Sequence, residues 1–541
     1  MLRITGLKLA PGEDAAVLKN RAARKLGIRA EEILSVKIYK KSLDARKKQT
    51  LHFLVTLDVS VRGDEDILLR RAAKEGVTKA ETYHYQLPPV YAAPPEPPVV
   101  VGAGPAGLFA ALILAEAGWC PLLIERGRDV DRRTEEVAAF WERAVLCEES
   151  NVQFGEGGAG AFSDGKLTTG TKDPRIRKVL EEFVRCGAPE EILYLAKPHI
   201  GTDRLKPVIK ALRQRILSLG GKVRFETRLE GLRLEKGRLC GLEVSVLKEG
   251  QTGRRTEEIA SRRVILAIGH SARDTLEKLY AGGVAMAQKP FSLGVRIEHR
   301  QRDIDRAQYG SFAGHHDLGA ADYRLSAHLP NGRGVYTFCM CPGGVVVGAS
   351  SEPDMVVTNG MSEHARAGKN ANSALLVGVS PEDFPGGQVL AGIEWQRELE
   401  RAAFSLGGGG YRAPVQLLGD FLQDTPSRTL GEVEPTYRPG YTLTNLSALL
   451  PEFAVQALRE GARAMERRLP GFLAADAVLT GPETRSSSPV RLLRGENREA
   501  AGIRGLYPCG EGAGYAGGIV SAAVDGIRAA EAILEAEFGE V

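Results

Sequence analysis

The sequence predicts an α/β nucleotide-binding domain in two pieces, interrupted by a β-rich domain and preceded by a small α+β domain. Three observations carry that expectation. A short β-branched strand runs into a glycine-rich turn and an apolar helix at PPVVVGAGPAGLFAALILA, and a second strand, glycine loop and helix stand at the end of the chain. Between them lie β-type runs such as FSLGVRIEH and GVYTFCM. The 541 residues leave room for several domains, and 43% hydrophobic with 26% charged residues is the composition of a folded globular chain. The 63 glycines follow no G-X-Y period, which excludes collagen.

In chain order, residues 1–87 read as a strand (LRITGLKLA), a helix from Asp14 to Leu26, β-rich runs at Ile33 to Tyr39 and Thr50 to Val59, and a helix from Asp64 to Lys74. The first 90 residues hold 18 Lys and Arg against 11 Asp and Glu, a net +7 within a chain whose formal net charge is +4. That excess points to an anionic partner for the front end alone. Lys37, Lys40, Lys41, Arg46, Lys47 and Lys48 would meet nucleic-acid phosphates there, or form a solvated surface.

Six prolines between Pro88 and Pro98 mark 88–98 as a semi-rigid linker. The nucleotide domain is expected at 99–290 and 476–541, with the β-rich substrate domain at 291–475. Pro97 to Ala115 is uncharged and close to the length of a membrane span, but its glycines make it strand, turn and buried helix instead. Seven cysteines, an odd number without framework spacing, in a chain read as lacking a signal peptide, suit a reducing cytosol and a cytoplasmic protein.

Gly102, Gly104 and Gly107 form G-x-G-x-x-G in the right setting, after a strand and opening a helix at Pro105 and Ala106. Gly102 permits the turn, Gly104 lets a pyrophosphate approach the backbone, and Gly107 lets helix and strand pack closely. Glu125, followed by Arg126, ends the next strand (LLIE), where a carboxylate accepts hydrogen bonds from ribose hydroxyls. A second triplet, Gly512, Gly514 and Gly517, stands too near Val541 to begin another complete unit. Its setting, GLYPCGEGAGYAGGIVSAAVDG, makes Gly510 and Glu511 an acidic turn. Gly517, Gly518 and Ile519 open a helix whose N-terminus favours negative charge.

An early GAGPAG with Glu125, paired with a late GLYPCGE and AGGI, resembles the glutathione-reductase-type FAD fold. The resemblance implies FAD as cofactor. Its ADP half would lie at Gly102 to Gly107, Glu125 and Arg126, its ribityl chain at Gly510 and Glu511, and its flavin edge at Gly517, Gly518 and Ile519. GKVRFETRL resembles the strand whose backbone near Leu229 meets adenine, and VILAIGH the strand returning to the FAD domain at Gly269. More narrowly, NVQFGEGGAGAFSDGKLTTG, GHSARDT, FCMCPGG, VVTNGMS, NANSA and GPETRSSSPVR are similar to a bacterial and plastid family of FAD-dependent dehydrogenases, across nearly the whole chain. A looser similarity links GVYTFCMCPGGVVVG to geranylgeranyl reductases and aromatic hydroxylases.

The expected fold is therefore a discontinuous Rossmann-like FAD domain with an inserted β-rich domain. The expected activity is an FAD-dependent oxidoreductase that moves a hydride or electron pair between FAD and a small-molecule substrate, anionic compounds included. With no second complete nucleotide-binding βαβ unit, NAD(P)H as reductant would dock transiently. A flavin monooxygenase and an RNA-binding or RNA-modifying flavoprotein are the alternatives.

Several residues are candidates for chemistry. If the loop Gly155 to Gly160 packs beside FAD, it brings Gly158 and Gly160 to the cofactor and Lys166 to the flavin or an anionic group; otherwise Lys166 is a loop charge. Cys339 and Cys341, two apart in a strand, would share one face, with Phe338 and Met340 on the other. Cys341 is then a candidate catalytic residue, or a small buried one. His270 is a proton donor or a turn residue. Thr484, Arg485, Ser486, Ser487, Ser488 and Arg491 would grip a carboxylate or phosphate, or form a salt-bridged loop. No histidine or cysteine cluster has metal-ligand spacing and no serine sits in a nucleophile elbow, so no metal site and no hydrolase are expected.

Overall fold

The computed structural model describes residues 1–72, 75–90, 93–247 and 253–536. The front unit is a four-stranded antiparallel sheet in the order Ile33–Asp44, His52–Val61, Leu2–Leu9, Val77–Lys79. Helices Val17–Leu26 and Glu65–Ala72 cover one face. Leu2 and Ile4 alternate inward, the irregularity before Leu7 restores the phase, and Leu7 and Leu9 complete the row against Leu18, Ala22 and Leu26. The first helix begins at Val17, not Asp14, because the Asp14 carboxylate accepts the Ala16 N–H and holds a tight turn there. The second strand outruns the expected Tyr39 and continues to Asp44, pairing with His52–Val61 through two bulges. The expected end of the second helix, Lys74, lies outside the described residues.

Among the described residues, no helix or strand falls between Lys79 and Val99. Tyr85 and Leu87 of this stretch pack on the main core, and the Tyr85 hydroxyl donates to Glu531 at 3.0 Å. The front sheet also reaches the body through its edge: the Lys41 N–H donates to the Tyr194 carbonyl, and the Ala196 N–H to that of Lys41.

The nucleotide-type sheet has five parallel strands, ordered Leu506–Pro508, Val264–Leu266, Val99–Val101, Leu122–Ile124, Lys222–Arg224. Three-residue strands suffice because both faces are covered. Val100, Leu123 and Ile265 face the helices, while Val99, Val101, Ile124, Val264 and Leu266 face an antiparallel meander at 227–260. On the helical face, Pro105–Glu116 and the final helix, Ile519–Ala536, approach so closely that a Cβ at Gly526 would fall 2.0 Å from the Ala106 carbonyl oxygen.

The third unit is a seven-stranded sheet, ordered Ser326–His328, Gly334–Cys341, Asn370–Val379, Phe291–Arg300, Val478–Glu483, Ala413–Leu417, Tyr441–Leu443. Val478–Glu483 is an interior strand paired on both sides, so the chain leaves this sheet after Glu483 and not at 476 as the sequence suggested. Among the described residues, no helix is long and apolar enough to cross a membrane.

One buried carboxylate joins the two large units. Glu400, from the helix Ala391–Leu406, accepts paired hydrogen bonds from Arg273 at 2.7 and 3.0 Å and from Arg485 at 2.7 and 3.0 Å, with the Thr484 hydroxyl at 2.7 Å. Arg273 opens the helix that follows the five-stranded sheet, and Arg485 follows the last strand of the large sheet. Burial alone would raise the Glu400 carboxyl, but the two guanidiniums outweigh it and hold it well below the carboxylate range. We expect Glu400→Gln to cost about 3–5 kcal/mol in denaturant unfolding, the scale of breaking a buried ion pair. Because the folded-state value is lowered, wild type loses this contribution as pH falls below the unfolded-state value of about 4. The variant's stability should be correspondingly less sensitive to acid, and equal acid sensitivity would contradict the assignment.

Candidate functional site

The C-terminal ends of the five parallel strands open into a cavity of about 1020 Å³, whose opposite wall is the large sheet. The residues expected to hold the cofactor meet there, all but Gly107, together with Lys166 and His270; Cys341 does not line it, and of the polar stretch Thr484 to Arg491 only Arg485 and Ser486 do. Gly102, Gly104, Pro105, Ala106, Glu125 and Arg126 line one end with Leu229, while Gly510, Glu511, Gly517, Gly518 and Ile519 line the middle with Gly269 and His270. Gly158, Gly160 and Lys166 form part of the side wall.

The first glycine triplet divides its work. A Cβ at Gly102 would lie 2.4 Å from the Ala267 carbonyl oxygen, and one at Gly107 would lie 1.8 Å from that of Gly102. These two serve backbone packing. A Cβ at Gly104 would project into the cavity and meet only Gly158 Cα, at 3.9 Å; at Gly269, Gly517 and Gly518 it would meet nothing within 4 Å. Backbone is thus laid bare along the cavity at both glycine motifs, the cradle that a pyrophosphate and a flavin edge require.

The loops are held by buried charge. Glu125 accepts from the N–H groups of Ala103 at 2.8 Å, Gly127 at 2.9 Å and Gly155 at 3.0 Å. Arg133, fully buried, donates to the carbonyls of Asn151, Val152, Gly155 and Glu156, shaping the glycine-rich loop from within. The Gly157 N–H then donates to the Ala103 carbonyl at 2.8 Å, so the two glycine loops lie side by side. Arg126 is spent on Asp274 and Glu149, with its guanidinium 4.1 Å above the Phe154 ring.

At the middle of the cavity the Gly518 N–H points to Glu511 at 3.5 Å, and His270 Nε2 lies 3.8 Å from the same carboxyl. Burial pushes the Glu511 carboxyl up to about 7, against the pull of that N–H and of Lys289. Burial, reinforced by Arg485, Arg273 and Lys289, pushes His270 down to about 3. The ring is therefore neutral at ordinary pH, so it offers hydrogen bonds and not an imidazolium proton. Its Nδ1 is buried without a hydrogen-bond partner in the protein.

Lys166 donates to the Met340 carbonyl and lies 3.1 Å from Asp164. Burial would lower its ammonium, but the Cys341 and Cys339 sulfurs and Asp164 prevail and keep it charged. Asp164, inaccessible to solvent, also takes both arms of Arg366, at 2.9 and 2.5 Å, and the Ser362 hydroxyl. Two cations on one carboxylate leave this wall with an excess positive charge.

Sequence reasoning missed Asp164, Ser362 and Arg366. Adjacency to Lys166 in SDGK was a usable signal for the acid; nothing local announces Arg366, some 200 residues away. It also missed the aromatic wall of Tyr336 and Phe338, the latter 44% exposed.

Two expectations are corrected. The Gly334–Cys341 strand does not alternate to its end: a bulge between Phe338 and Cys341 leaves Cys339 on the cavity wall, Cys341 fully buried, Phe338 exposed and Met340 buried. The Thr484 to Arg491 stretch is no free anion grip, since Arg485 is committed to Glu400 and Ser351.

The family described as "FAD-dependent protein, C-terminal domain-like" matches residues 290–486, and a domain of unknown function matches residues 1–60. A Clostridium beijerinckii protein described as "Uncharacterized protein" is 49% identical over 539 residues, covering 99% of this chain and 98% of its own. Similar solved structures include a geranylgeranyl bacteriochlorophyll reductase-like protein from Thermoplasma acidophilum, 14% identical over 82% of this chain and 79% of that one, TM-score 0.35. Another is the glycerol-3-phosphate dehydrogenase from Bacillus halodurans complexed with FAD, 11% identical over 82% and 65%, TM-score 0.35. A third is 3-ketosteroid-delta4-(5alpha)-dehydrogenase from Rhodococcus jostii, 15% identical over 81% and 96%, TM-score 0.35.

The protein is an FAD-dependent oxidoreductase built on an α/β fold. It belongs to the FAD-dependent protein family named above, with the Clostridium beijerinckii protein as a relative along its full length.

The two kinds of glycine predict opposite outcomes. Gly104→Leu fills the cavity with no more than an ordinary contact to the Gly158 backbone, so the FAD absorbance of the purified protein should be lost while the melting temperature of the FAD-free protein stays that of wild type. Gly107→Ala drives a methyl into the Gly102 carbonyl and should cost at least the roughly 1–3 kcal/mol of an overpacked core. A Gly104→Leu protein that keeps full FAD would place the cofactor elsewhere.

Proposed function

We propose that FAD lies along this cavity, its ADP half against Gly102 to Ala106, Glu125 and Leu229, its flavin between the start of the final helix and the wall of the large sheet. A small, anionic substrate with an apolar body occupies the remaining space and exchanges an electron pair with the flavin, whose chemistry is two-electron transfer. The observation that carries this reading is that one cavity joins both backbone cradles to a second wall with apolar, aromatic and cationic character, at Tyr336, Phe338, Lys166 and Arg366.

Each residue has a part. Phe338 and Tyr336 cover the apolar body and exclude water. Lys166 and Arg366, already sharing Asp164, use their excess charge to anchor an anionic group. Glu511, close to neutrality in its titration, hydrogen-bonds a ribityl hydroxyl as donor or acceptor, and neutral His270 presents Nδ1 to the same region. The unpaired N–H groups at the start of the final helix favour the negative charge that gathers at flavin N1 and O2 on reduction.

NAD(P)H, where it serves as reductant, docks transiently. The five-stranded sheet is the one parallel sheet of nucleotide-binding type among the described residues. Rapid-mixing absorbance should show slow flavin reduction by NADPH or NADH alone and faster reduction with substrate present. Fast, saturable reduction at micromolar nicotinamide would contradict this.

The helix end is tested by potential. Gly518 sits at φ +83°, a conformation closed to proline, so the probe belongs one residue on. Ile519 is the first helical residue, where proline is tolerated and removes one unpaired N–H. Losing about 1 kcal/mol of differential stabilisation should lower the two-electron midpoint of FAD-replete Ile519→Pro by about 20 mV. An unchanged or higher potential in spectroelectrochemistry would mean that the helix does not face the flavin.

A further inference from the structure

The ladder between the Gly334–Cys341 and Asn370–Val379 strands breaks between Phe338 and Cys341, and Cys339 sits in the break at φ +44°, a backbone state that residues other than glycine rarely adopt. Cations clamp the break. Arg296 donates to the Cys339 carbonyl at 3.2 and 3.3 Å, and Lys166 donates to that of Met340. The Cys341 thiol turns back onto the same corner, donating to the Cys339 carbonyl at 3.3 Å.

In a straight strand, residues two apart have Cα atoms about 6.4–6.8 Å apart, at the far edge of disulfide geometry. The bulge changes that spacing and turns the Cys341 thiol onto the backbone of Cys339. It also makes the pair unequal. Cys339 lines the cavity, whereas Cys341 is shut behind it. The hydrogen bond from Cys341, then the charges of Lys166 and Arg296, hold Cys339 below the usual thiol range. The same hydrogen bond, together with burial, holds Cys341 above it. A thiolate and a thiol brought to one strained corner of the backbone beside two cations are the reactants for disulfide formation. Neither cysteine is needed to explain the cradle.

We propose that Cys339 and Cys341 are a redox pair that exchanges two electrons with FAD across the cavity, so that the loaded enzyme stores four electrons. The inference rests on the placement of FAD proposed above. In the oxidising direction the Cys341 S–H bond breaks, the Sγ–Sγ bond forms, and the electron pair with the released proton passes to FAD. In the reducing direction the disulfide takes both back, and Cys339 returns as the thiolate with Lys166 as its counter-ion.

The test uses FAD-replete enzyme, oxidised with diamide, freed of reagent and titrated anaerobically with dithionite at the flavin band. We expect wild type to consume two two-electron equivalents per FAD, and Cys339→Ser and Cys341→Ser to consume one. Independently of any variant, iodoacetamide and peptide mass mapping should find the segment carrying Cys339 and Cys341 two hydrogens lighter and unalkylated in the oxidised enzyme. After reduction it should carry two alkyl groups. FAD-replete wild type that takes a single equivalent, with both cysteines alkylated throughout, overturns the redox pair and leaves the FAD site standing. A protein that binds no FAD overturns the site itself.

Discussion

Three N–H groups from three loops converge on the Glu125 carboxylate, and the nucleotide end of the cavity depends on that convergence. A glycine-rich backbone carries little side chain with which to hold itself, so its shape has to be imposed through hydrogen bonds. Glu125 draws the first motif, its own strand end and the Gly155 loop to one point. Arg133 supports that loop from the other side through four carbonyls. An acceptor and a donor, both buried, thus replace the packing that side chains supply elsewhere. With ribose hydroxyls added, Glu125 would coordinate the cofactor by the same carboxylate that orders the loops, which ties binding to loop order.

The far wall is organised on the same principle by Asp164. One inaccessible carboxylate serves Lys166 of its own loop and both Ser362 and Arg366 of the loop that follows strand Thr358–Met361. A buried acid with a single cation would be neutral and of little use to an anion; with two cations it leaves the wall positive while paying the desolvation cost once. The same field reaches the bulge, where Lys166 touches the Met340 carbonyl and favours charge on Cys339. A thiolate at Cys339 and an anionic substrate would therefore compete for one surplus positive charge.

The cradle was legible in the sequence because its physics is local. A strand, three glycines, a helix and an acid lie within 27 residues, and the late motif repeats strand, turn and helix within about 30. Short strands buried on both faces also read correctly, as continuous β-branched runs. What did not read was long-range or conformational. Arg366 reaches Asp164 across 202 residues, and Glu400 gathers Arg273 and Arg485 from either side of it. The Cys339 bulge breaks a strand whose residue pattern shows no punctuation, since no glycine or proline stands between Gly334 and Cys341 to announce it. Val478–Glu483 was assigned to the wrong unit for a related reason: pairing partners, and not residue types, decide which sheet an interior strand joins.

The joint between the two large units also sets the chemistry at the centre of the cavity. Arg273 and Arg485 share Glu400, and their surplus charge faces His270, which together with burial keeps the imidazole neutral. Glu511, on the other side of that ring, is raised by burial towards a neutral acid. An ionised pair at this position would place fixed charge beside the flavin and oppose one of its two redox states. A neutral histidine and a carboxyl pushed up to about 7 leave the region without a permanent ion pair, so with the flavin placed as proposed the helix end at Gly517 to Ile519 would supply the steady local bias on reduction. The ion cluster that fastens the large sheet to the nucleotide sheet thus reinforces what burial does first, holding His270 in its neutral form at the cavity centre.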